Sequence, residues 1–145
     1  MIPDQIERDI LIEAPVETVW RILTEPDEMV KWFAARIDFA ASPGAEGGLT
    51  FSTTGRSWTV EVEAVEPPRR FTFRWRPVDD ERPPERTSMH VEFTLRAEAG
   101  GTRLRVVESG FDGVDWSDEE KARYAEDHGR GWIRCLDQLR ALAAE

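Results

Sequence analysis

The sequence predicts a single α+β domain in which a long C-terminal helix covers an antiparallel sheet. Apolar and polar residues alternate along much of residues 37–109, with the period of half-buried strands. The connections between these segments are short, so antiparallel pairing is expected. Residues 117–144 are the only amphipathic segment long enough to cover the apolar face of a sheet. The expected order is β-α-α, about six strands and a final helix, in one domain over residues 1–145.

A strand and two short helices are predicted at the N-terminal end. Ile6, Ile10 and Ile12 share one parity, which indicates a half-buried strand. Pro15 can occupy the start of a helix, where its missing N–H costs nothing. Apolar residues then recur at helical spacing until Glu25-Pro26, and a second short helix is predicted from Pro26 to about Phe33.

Strands and turns are predicted from Ile37 onward. The first strand is expected to include Ile37, Phe39 and Ala41, and Thr54-Gly55 is a plausible hairpin turn. The polar segment from Pro77 to Arg86 is predicted to be an exposed, mobile loop. The remaining alternating sets are Leu49, Phe51 and Thr53; Trp58, Val60, Val62 and Ala64; Phe71, Phe73 and Trp75; Met89, Val91, Phe93 and Leu95; and Leu104 and Val106.

A capping box marks the start of the long helix. Ser117 is a good N-cap, and Glu120 stands three residues later. The apolar stripe of this helix consists of Tyr124, His128, Trp132, Cys135, Leu136, Leu139 and Leu142.

Composition excludes several classes of protein. The net charge is 19 − 29 = −10, which disfavours nucleic acid and anionic membrane surfaces. No apolar run approaches the roughly 20 residues of a spanning helix, so no membrane partner is expected. The single Cys135 cannot form an internal disulfide, which suits a reducing cytoplasm. The unusual feature of the composition is its aromatic content, with six Trp and seven Phe but one Tyr.

Motifs for phosphate, metal or nucleophilic chemistry are missing. Gly44, Gly47 and Gly48 lack the Lys-Ser/Thr of a P-loop, and no Gly-x-Ser-x-Gly elbow occurs. His90 and His128 are far apart and outside metal-ligand spacing. We therefore expect neither a metal nor a cofactor.

Three segments resemble a known family. They are residues 19–33, with Lys31-Trp32-Phe33; residues 62–75, with Pro67-Pro68; and Gly131-Trp132 with Leu136 and Leu139. The sequence is similar to the START/Bet v 1-like (SRPBCC) superfamily, in the branch related to the C-terminal domain of the Aha-type activator of the heat-shock-90 ATPase. The resemblance implies a helix-grip fold, in which a curved antiparallel sheet wraps the C-terminal helix and leaves a cavity between them.

The resemblance also implies a range of functions. Members of the superfamily bind hydrophobic small molecules, some catalyse cyclisation or dehydration, and the branch name implies a link to the stress response. The Aha-type activator has an additional N-terminal domain, whereas the first strand here is predicted from about residue 5. We therefore do not expect a chaperone partner, and a co-chaperone role is the weakest of the three functions.

Glu108 and His128 are the candidate polar groups of the site. Glu108 shares the inward parity of Leu104 and Val106. It either lies at the strand end, where the period fails or a solvent rim begins, or is a polar anchor or acid/base inside a cavity, with His128 opposite. A histidine on a helix face is more often a boundary residue hydrogen-bonded to a neighbour than a catalyst, and this interpretation of His128 also stays open. Both residues are weak catalytic candidates.

The aromatic residues are expected to meet between sheet and helix, where they form either a dry core or the wall of an apolar pocket. Trp32 and Phe33 could guard the cavity mouth. The predicted ligand-binding residues are Trp32, Phe33, Phe51, Thr53, Trp58, Val60, Phe73, Trp75, Met89, Val91, Glu108, His128 and Trp132.

The predicted function is binding of a small hydrophobic or amphipathic molecule in this cavity. A cyclase- or dehydratase-like enzyme using the same cavity is the alternative, and whether the protein is an enzyme stays open. The identity of the ligand and the formation of a homodimer through an exposed strand edge also stay open.

Overall fold

The computed structural model describes residues 4–34, 36–51 and 54–144, and it contains one sheet and three α-helices within them. The strands are β1 (Gln5–Ile12), β2 (Arg36–Asp38), β3 (Glu46–Thr50), β4 (Ser57–Glu66), β5 (Arg70–Pro77), β6 (Met89–Glu98) and β7 (Gly101–Ser109). The helices are α1 (Val16–Thr24), α2 (Pro26–Trp32) and α3 (Asp118–Ala143). This order confirms the predicted β-α-α, six strands and final helix.

All neighbouring strands pair antiparallel, in the order β1-β7-β6-β5-β4-β3-β2. The strands after α2 therefore follow one another as a meander, because each connection is too short for a crossover. The first strand returns to pair with the last. β7 consequently lies between β1 and β6, away from the sheet edges.

One face of the sheet is apolar, as the alternation predicts. Trp58, Val60 and Val62 are buried on β4, and the intervening Thr59 and Glu61 are exposed. The register of β4 against β5 shifts between Val62 and Ala64, and the Thr72 hydroxyl accepts a hydrogen bond of 3.0 Å from the Ala64 amide. Such a bulge bends a strand and increases its twist, which helps the sheet to curve around the helix.

The second strand is shorter than predicted. β2 ends at Asp38, so the prediction that Phe39 and Ala41 continue it is wrong. The chain leaves the sheet after Asp38, and the Phe39 ring packs into the core, with its centroid 6.4 Å from that of Phe73. The neighbouring Gly47 allows close approach of the backbones, since a Cβ there would lie 2.0 Å from the Asp38 carbonyl oxygen.

The helices cover the apolar face. The predicted capping box at Ser117 is present, with the Ser117 hydroxyl accepting from the Glu120 amide at 3.1 Å. α3 packs against β1, α1 and α2. Leu136 and Leu139, in its C-terminal half, are buried, whereas Tyr124 and His128, closer to its N-terminus, are only half-buried. α3 is therefore more deeply buried along its C-terminal half than along its N-terminal half. No helix in the described part of the chain is long and apolar enough to cross a bilayer.

Candidate functional site

A buried carboxylate, Glu108, stands at the centre of the candidate site. It pairs with Ile6 of β1 on one side and with Val91 of β6 on the other, and its side chain is fully buried. Glu108 is the second-last residue of β7, but the alternation of burial continues through it, so the interpretation that the period fails or a solvent rim begins there is wrong. Its register inside the sheet holds the carboxylate on the inner face, beneath α3.

Four side chains donate hydrogen bonds to this carboxylate. Oε2 accepts from the Trp75 indole at 2.8 Å and from the Tyr124 hydroxyl. Oε1 accepts from the Trp132 indole at 2.9 Å and pairs with His128 Nδ1 at 3.0 Å. An ionised carboxylate has about four acceptor positions, so its hydrogen-bonding capacity is filled. We call these five residues the Glu108 cage.

The geometry of α3 explains three of these donors. Tyr124, His128 and Trp132 are four residues apart along the helix, so they lie one above the other on a single face. The sequence indicated His128 and Trp132 as site residues and missed Tyr124. The signal that could have found it is this spacing, since all three residues belong to the stripe that faces Glu108.

Burial and hydrogen bonding act in opposite directions on the Glu108 pKa. Burial raises it, but the charge of His128 and the hydrogen bonds from His128, Tyr124 and Trp132 outweigh burial, so the pKa lies below its ordinary value. Burial, followed by the charge of Glu108, raises the pKa of Tyr124 well above its ordinary value. At neutral pH the site thus contains an ionised carboxylate and a protonated phenol that donates to it.

Most of the predicted aromatic wall residues are in mutual contact. Trp58 stacks on Trp75 with ring centroids 4.6 Å apart, and Trp75 stacks on Trp132 at 5.8 Å. Phe33 stacks on Trp132 at 5.6 Å and meets Phe51 edge-on at 5.8 Å. The structure therefore brings these residues together in one connected cluster above the sheet.

The other predicted site residues extend this cluster. Trp32 stacks on Phe33 at 5.1 Å, and its indole donates to the Ile22 carbonyl at 2.8 Å, which fixes α2 against α1. The ring centroid of Phe73 lies 5.5 Å from that of Trp75. Val60, Met89 and Val91 are fully buried on the inner face of the sheet. Thr53 lies outside the described residues.

The cage reaches solvent at one edge. The His128 side chain is 17% exposed, and its ring stacks on Tyr124 at 3.7 Å and meets Trp58 edge-on at 5.4 Å. Phe51, half-buried, packs edge-on against Trp58 at 6.4 Å. We call this edge, formed by Phe51, Trp58, Tyr124 and His128, the mouth.

A polar pocket of about 600 Å³ lies beside the mouth, lined by Arg56, Asp79, Asp80, Glu81, Arg82 and Glu120. We call it the rim pocket. The Arg56 guanidinium carbon lies 5.7 Å from the centroid of the Trp58 ring. On the other side, Asp80 accepts from the Trp116 indole at 3.1 Å, and Trp116 packs against Tyr124 at 4.9 Å. Aromatic rings therefore connect the rim pocket to Glu108, through Trp58 and Trp75 on one side and through Trp116 and Tyr124 on the other.

Arg82 connects the Pro77–Arg86 loop, beside the mouth, to neighbouring segments. Arg82 forms an ion pair with Asp80 at 2.9 Å and another with Glu120 of α3 at 3.3 Å. It also donates to the Asp115 carbonyl. Although most of its side chains are exposed, as predicted, this loop is joined to the start of α3 by these contacts.

The described residues contain no group of three or more His, Cys, Asp or Glu side chains that could hold a metal ion. Cys135 lies on the buried face of α3, and burial raises the pKa of its thiol to about 11. A thiol with such a high pKa is a poor nucleophile at neutral pH. The chemistry of the site is therefore that of the carboxylate, the imidazole, the phenol and the indoles.

Comparison with known proteins agrees with this architecture. Residues 13–144 match the family model described as Activator of Hsp90 ATPase homolog 1-like protein. No curated protein matches the chain. Among solved structures, protein MLL2253 from Mesorhizobium loti is 26% identical, with a TM-score of 0.81 over 95% of each chain.

Two further structures are similar. DynU16, a protein from the dynemicin biosynthetic locus, is 26% identical with a TM-score of 0.77; the match covers 96% of this chain and 46% of DynU16. The Aha1 dimer from Colwellia psychrerythraea shares the fold at 20% identity and a TM-score of 0.69, over 94% of this chain and 92% of that one. These matches confirm the predicted helix-grip fold and the Aha-type branch of the START/Bet v 1-like superfamily.

Proposed function

This chain belongs to the Activator of Hsp90 ATPase homolog 1-like family, and on that premise we propose that it binds a small hydrophobic or amphipathic molecule between the sheet and α3. The ligand enters at the mouth, its apolar body lies against the aromatic rings, and the Glu108 cage faces its polar end. A cytoplasmic location, as expected from the single cysteine, is part of the same proposal.

The observation that carries the proposal is the buried Glu108 cage. Removing a carboxylate from water is costly, and a buried ion pair often contributes less stability than well-packed apolar residues of similar volume. Here the carboxylate lies in the most aromatic region of the molecule, with every acceptor position filled. Buried ionisable groups with shifted pKa values occur preferentially at functional sites. The cage is thus better explained as part of a binding site than as a device for stability.

The shape of the site supports entry at the mouth. Phe51, Tyr124 and His128 are half-buried, and they lie where the N-terminal half of α3 is less deeply buried against the sheet. Apolar rings with a few convergent polar groups are typical of small-molecule sites. DynU16, which is similar in structure, comes from a biosynthetic locus, which agrees with a role that involves a small organic molecule.

Binding of decanol and of Nile red tests the proposal. Tryptophan fluorescence and Nile red emission should change with saturation as either probe is added to the wild-type protein. Phe51→Ala should weaken binding because it removes part of the mouth. Ile133→Ala, an equivalent truncation on an exposed position of α3, should leave binding unchanged. Failure of both probes to bind the wild type would contradict the proposal.

A specific observation favours the enzyme alternative as a second candidate. A cyclase or dehydratase needs at least two polar groups within hydrogen-bonding reach, and Glu108 pairs with His128 and with Tyr124. Because the acceptor positions of Glu108 are filled, the proton would be transferred by the other ring nitrogen of His128, with Glu108 orienting the imidazole. Turnover of a bound substrate that survives His128→Phe would exclude this candidate.

Two other expectations stay predictions. A co-chaperone role requires stimulation of a purified chaperone ATPase by this chain. Pairing of two copies through a free sheet edge requires a dimer in analytical ultracentrifugation, and the similar Aha1 structure from Colwellia psychrerythraea is described as a dimer.

A further inference from the structure

The unpaired hydrogen-bond donors of the mouth narrow the class of ligand. We propose that the ligand is a carboxylate on an apolar body, whose oxygens accept hydrogen bonds from His128 Nε2–H and from the Trp58 indole N–H. This inference rests on the proposed function and names the ligand class of the same site.

His128 has a donor that no described residue uses. Glu108 is fully buried, and among the described residues only His128 forms an ion pair with it, at 3.0 Å. Because a buried charge needs a partner of opposite charge, His128 is the imidazolium. Burial raises the pKa of Glu108, and the positive charge of His128 acts against burial and lowers it. Both ring nitrogens of an imidazolium are donors, so Nδ1 donates to Glu108 and Nε2–H is left for a ligand.

Trp58 has a second unpaired donor. Its indole N–H forms no hydrogen bond with the described residues, whereas those of Trp75 and Trp132 donate to Glu108. Every fully buried side-chain nitrogen and oxygen in the described part of the chain has a hydrogen-bond partner. The unpaired nitrogens of Trp58 and His128 therefore reach solvent. The two rings meet edge-on, with centroids 5.4 Å apart, so both donors belong to one small region of the mouth.

The mouth matches a ligand group that only accepts hydrogen bonds. Phe51 has no polar side-chain atom, and the Tyr124 hydroxyl donates to Glu108, whose acceptor positions are filled. A ligand hydroxyl could accept here, but its own proton would lose its partner on leaving water. An ammonium has no acceptor oxygen and is repelled by the imidazolium. A carboxylate only accepts, and hydrogen bonds between charged groups are the stronger ones.

The nearest charges do not oppose a carboxylate. The charges of Glu108 and His128 cancel. The Arg56 guanidinium carbon lies 5.7 Å from the centroid of the Trp58 ring, and its ion pair with Asp79 is exposed, at 3.3 Å. Exposed ion pairs contribute little, so Arg56 is available to a ligand carboxylate in place of Asp79.

The other charges nearby are paired, exposed or positive. In the rim pocket Asp80 and Glu120 pair with Arg82, and Glu81 is exposed, so that water screens its charge. Arg8 of β1 packs against α3 and forms no ion pair with the described carboxylates, so it adds a positive charge beside this helix. The contacts with the two unpaired donors therefore decide the ligand class.

Four probes with a ten-carbon chain separate these contributions. Decanoate has charge and only accepts, methyl decanoate only accepts, decanol accepts and donates, and decylammonium only donates. In calorimetric titrations at neutral pH and below micelle-forming concentrations, decanoate should bind about tenfold more tightly than methyl decanoate and decanol. Decylammonium should bind most weakly.

The outcomes distinguish this inference from the proposed function. If methyl decanoate, decanol or decylammonium binds as tightly as decanoate, or if decanoate does not bind, the inferred ligand class is wrong and the binding function stands. If decanol and Nile red also fail to bind, the proposed function is wrong as well.

Trp58→Phe tests the second donor, because it removes the indole N–H and keeps an aromatic ring. The ratio of decanoate affinity to decanol affinity should fall about fivefold. Trp20→Phe is the matched control, because Trp20 lies on α1 outside the cage and the mouth, and it should leave this ratio unchanged. An unchanged ratio in Trp58→Phe would overturn the assignment of its N–H to the ligand.

The protonation of His128 in the wild-type protein tests the first donor without any substitution. Long-range ¹H–¹⁵N spectra of the imidazole rings distinguish an imidazolium from the two neutral tautomers, and His90 is the only other histidine in the sequence. At neutral pH both ring nitrogens of His128 should be protonated, and the Nε2–H signal should shift with saturation as decanoate is added. A neutral ring with its proton on Nδ1 alone, or an Nε2–H signal that decanoate leaves in place, would overturn the inference.

Discussion

Replacing Glu108 by Gln should destabilise the protein strongly although it preserves the shape of the side chain. The substitution turns one carboxylate oxygen into an amide NH2 that cannot accept. Depending on its orientation, either Trp75 and Tyr124 or Trp132 and His128 then lose their acceptor. Hydrogen bonds to a charged group contribute about 1.5–3 kcal/mol each, so losing two costs about 3–6 kcal/mol. Relief from burying a charge offsets part of this, and we expect a net loss of about 3–5 kcal/mol in the free energy of unfolding.

Urea unfolding followed by tryptophan fluorescence measures this loss. Glu92→Gln is the matched control, because Glu92 is partly exposed on the outer face of the sheet and pairs with Arg70 at 2.7 Å. Loss of this ion pair should lower the free energy of unfolding by about 1 kcal/mol or less. A Glu108→Gln variant within about 1 kcal/mol of the wild type would refute the view that the cage depends on an ionised acceptor.

Three further predictions concern pH, thiol reactivity and backbone fit. Because the pKa of Glu108 is lowered from 4.5 in the folded protein, its stabilisation is complete above about pH 4.5 and is lost as the pH falls through the folded value. The stability difference between wild type and Glu108→Gln should therefore shrink in acid, and a difference that is constant with pH in urea titrations would contradict this. With a pKa of about 11, the Cys135 thiol should react with Ellman's reagent at mildly alkaline pH only after unfolding, and rapid reaction of the native protein would be inconsistent with its burial. Gly131→Ala should raise the free energy of unfolding by about 1 kcal/mol, since no atom lies within 4 Å of an added Cβ and Ala favours the helix. Gly101→Ala should lower the free energy of unfolding, because the φ of Gly101 is +153° and an added Cβ would lie 2.0 Å from the Ile12 carbonyl oxygen. Urea unfolding in which Gly101→Ala is the more stable of the two variants would contradict both predictions.

The sequence predicts the elements well because each follows from local periodicity. The alternation in β4, the helix break at Pro26 and the capping box at Ser117 all appear where they are predicted. The short β2 could not be predicted, because it ends where Phe39 turns into the core to meet Phe73, far along the chain.

The candidate site is predictable only in part. Parity alone places Glu108 on the inner face, but its burial depends on its neighbours in β1 and β6, which are distant in sequence. Tyr124 belongs to the stripe of α3 in the sequence, yet its hydroxyl becomes a site group only once the helix is placed over β7. The rim pocket brings together Arg56, Arg82 and Glu120 from three separate segments, and no local pattern connects them.

The indole N–H resonances of the six Trp residues give the most direct test of a ligand site between sheet and α3. In ¹H–¹⁵N spectra recorded during a decanol titration, the signals of Trp58, Trp75 and Trp132 should shift with saturation. Trp20, which lies on α1 outside the cage and the mouth, should stay in place. Shifts that are absent, that do not saturate, or that spare Trp58, Trp75 and Trp132 would contradict a ligand site at the Glu108 cage.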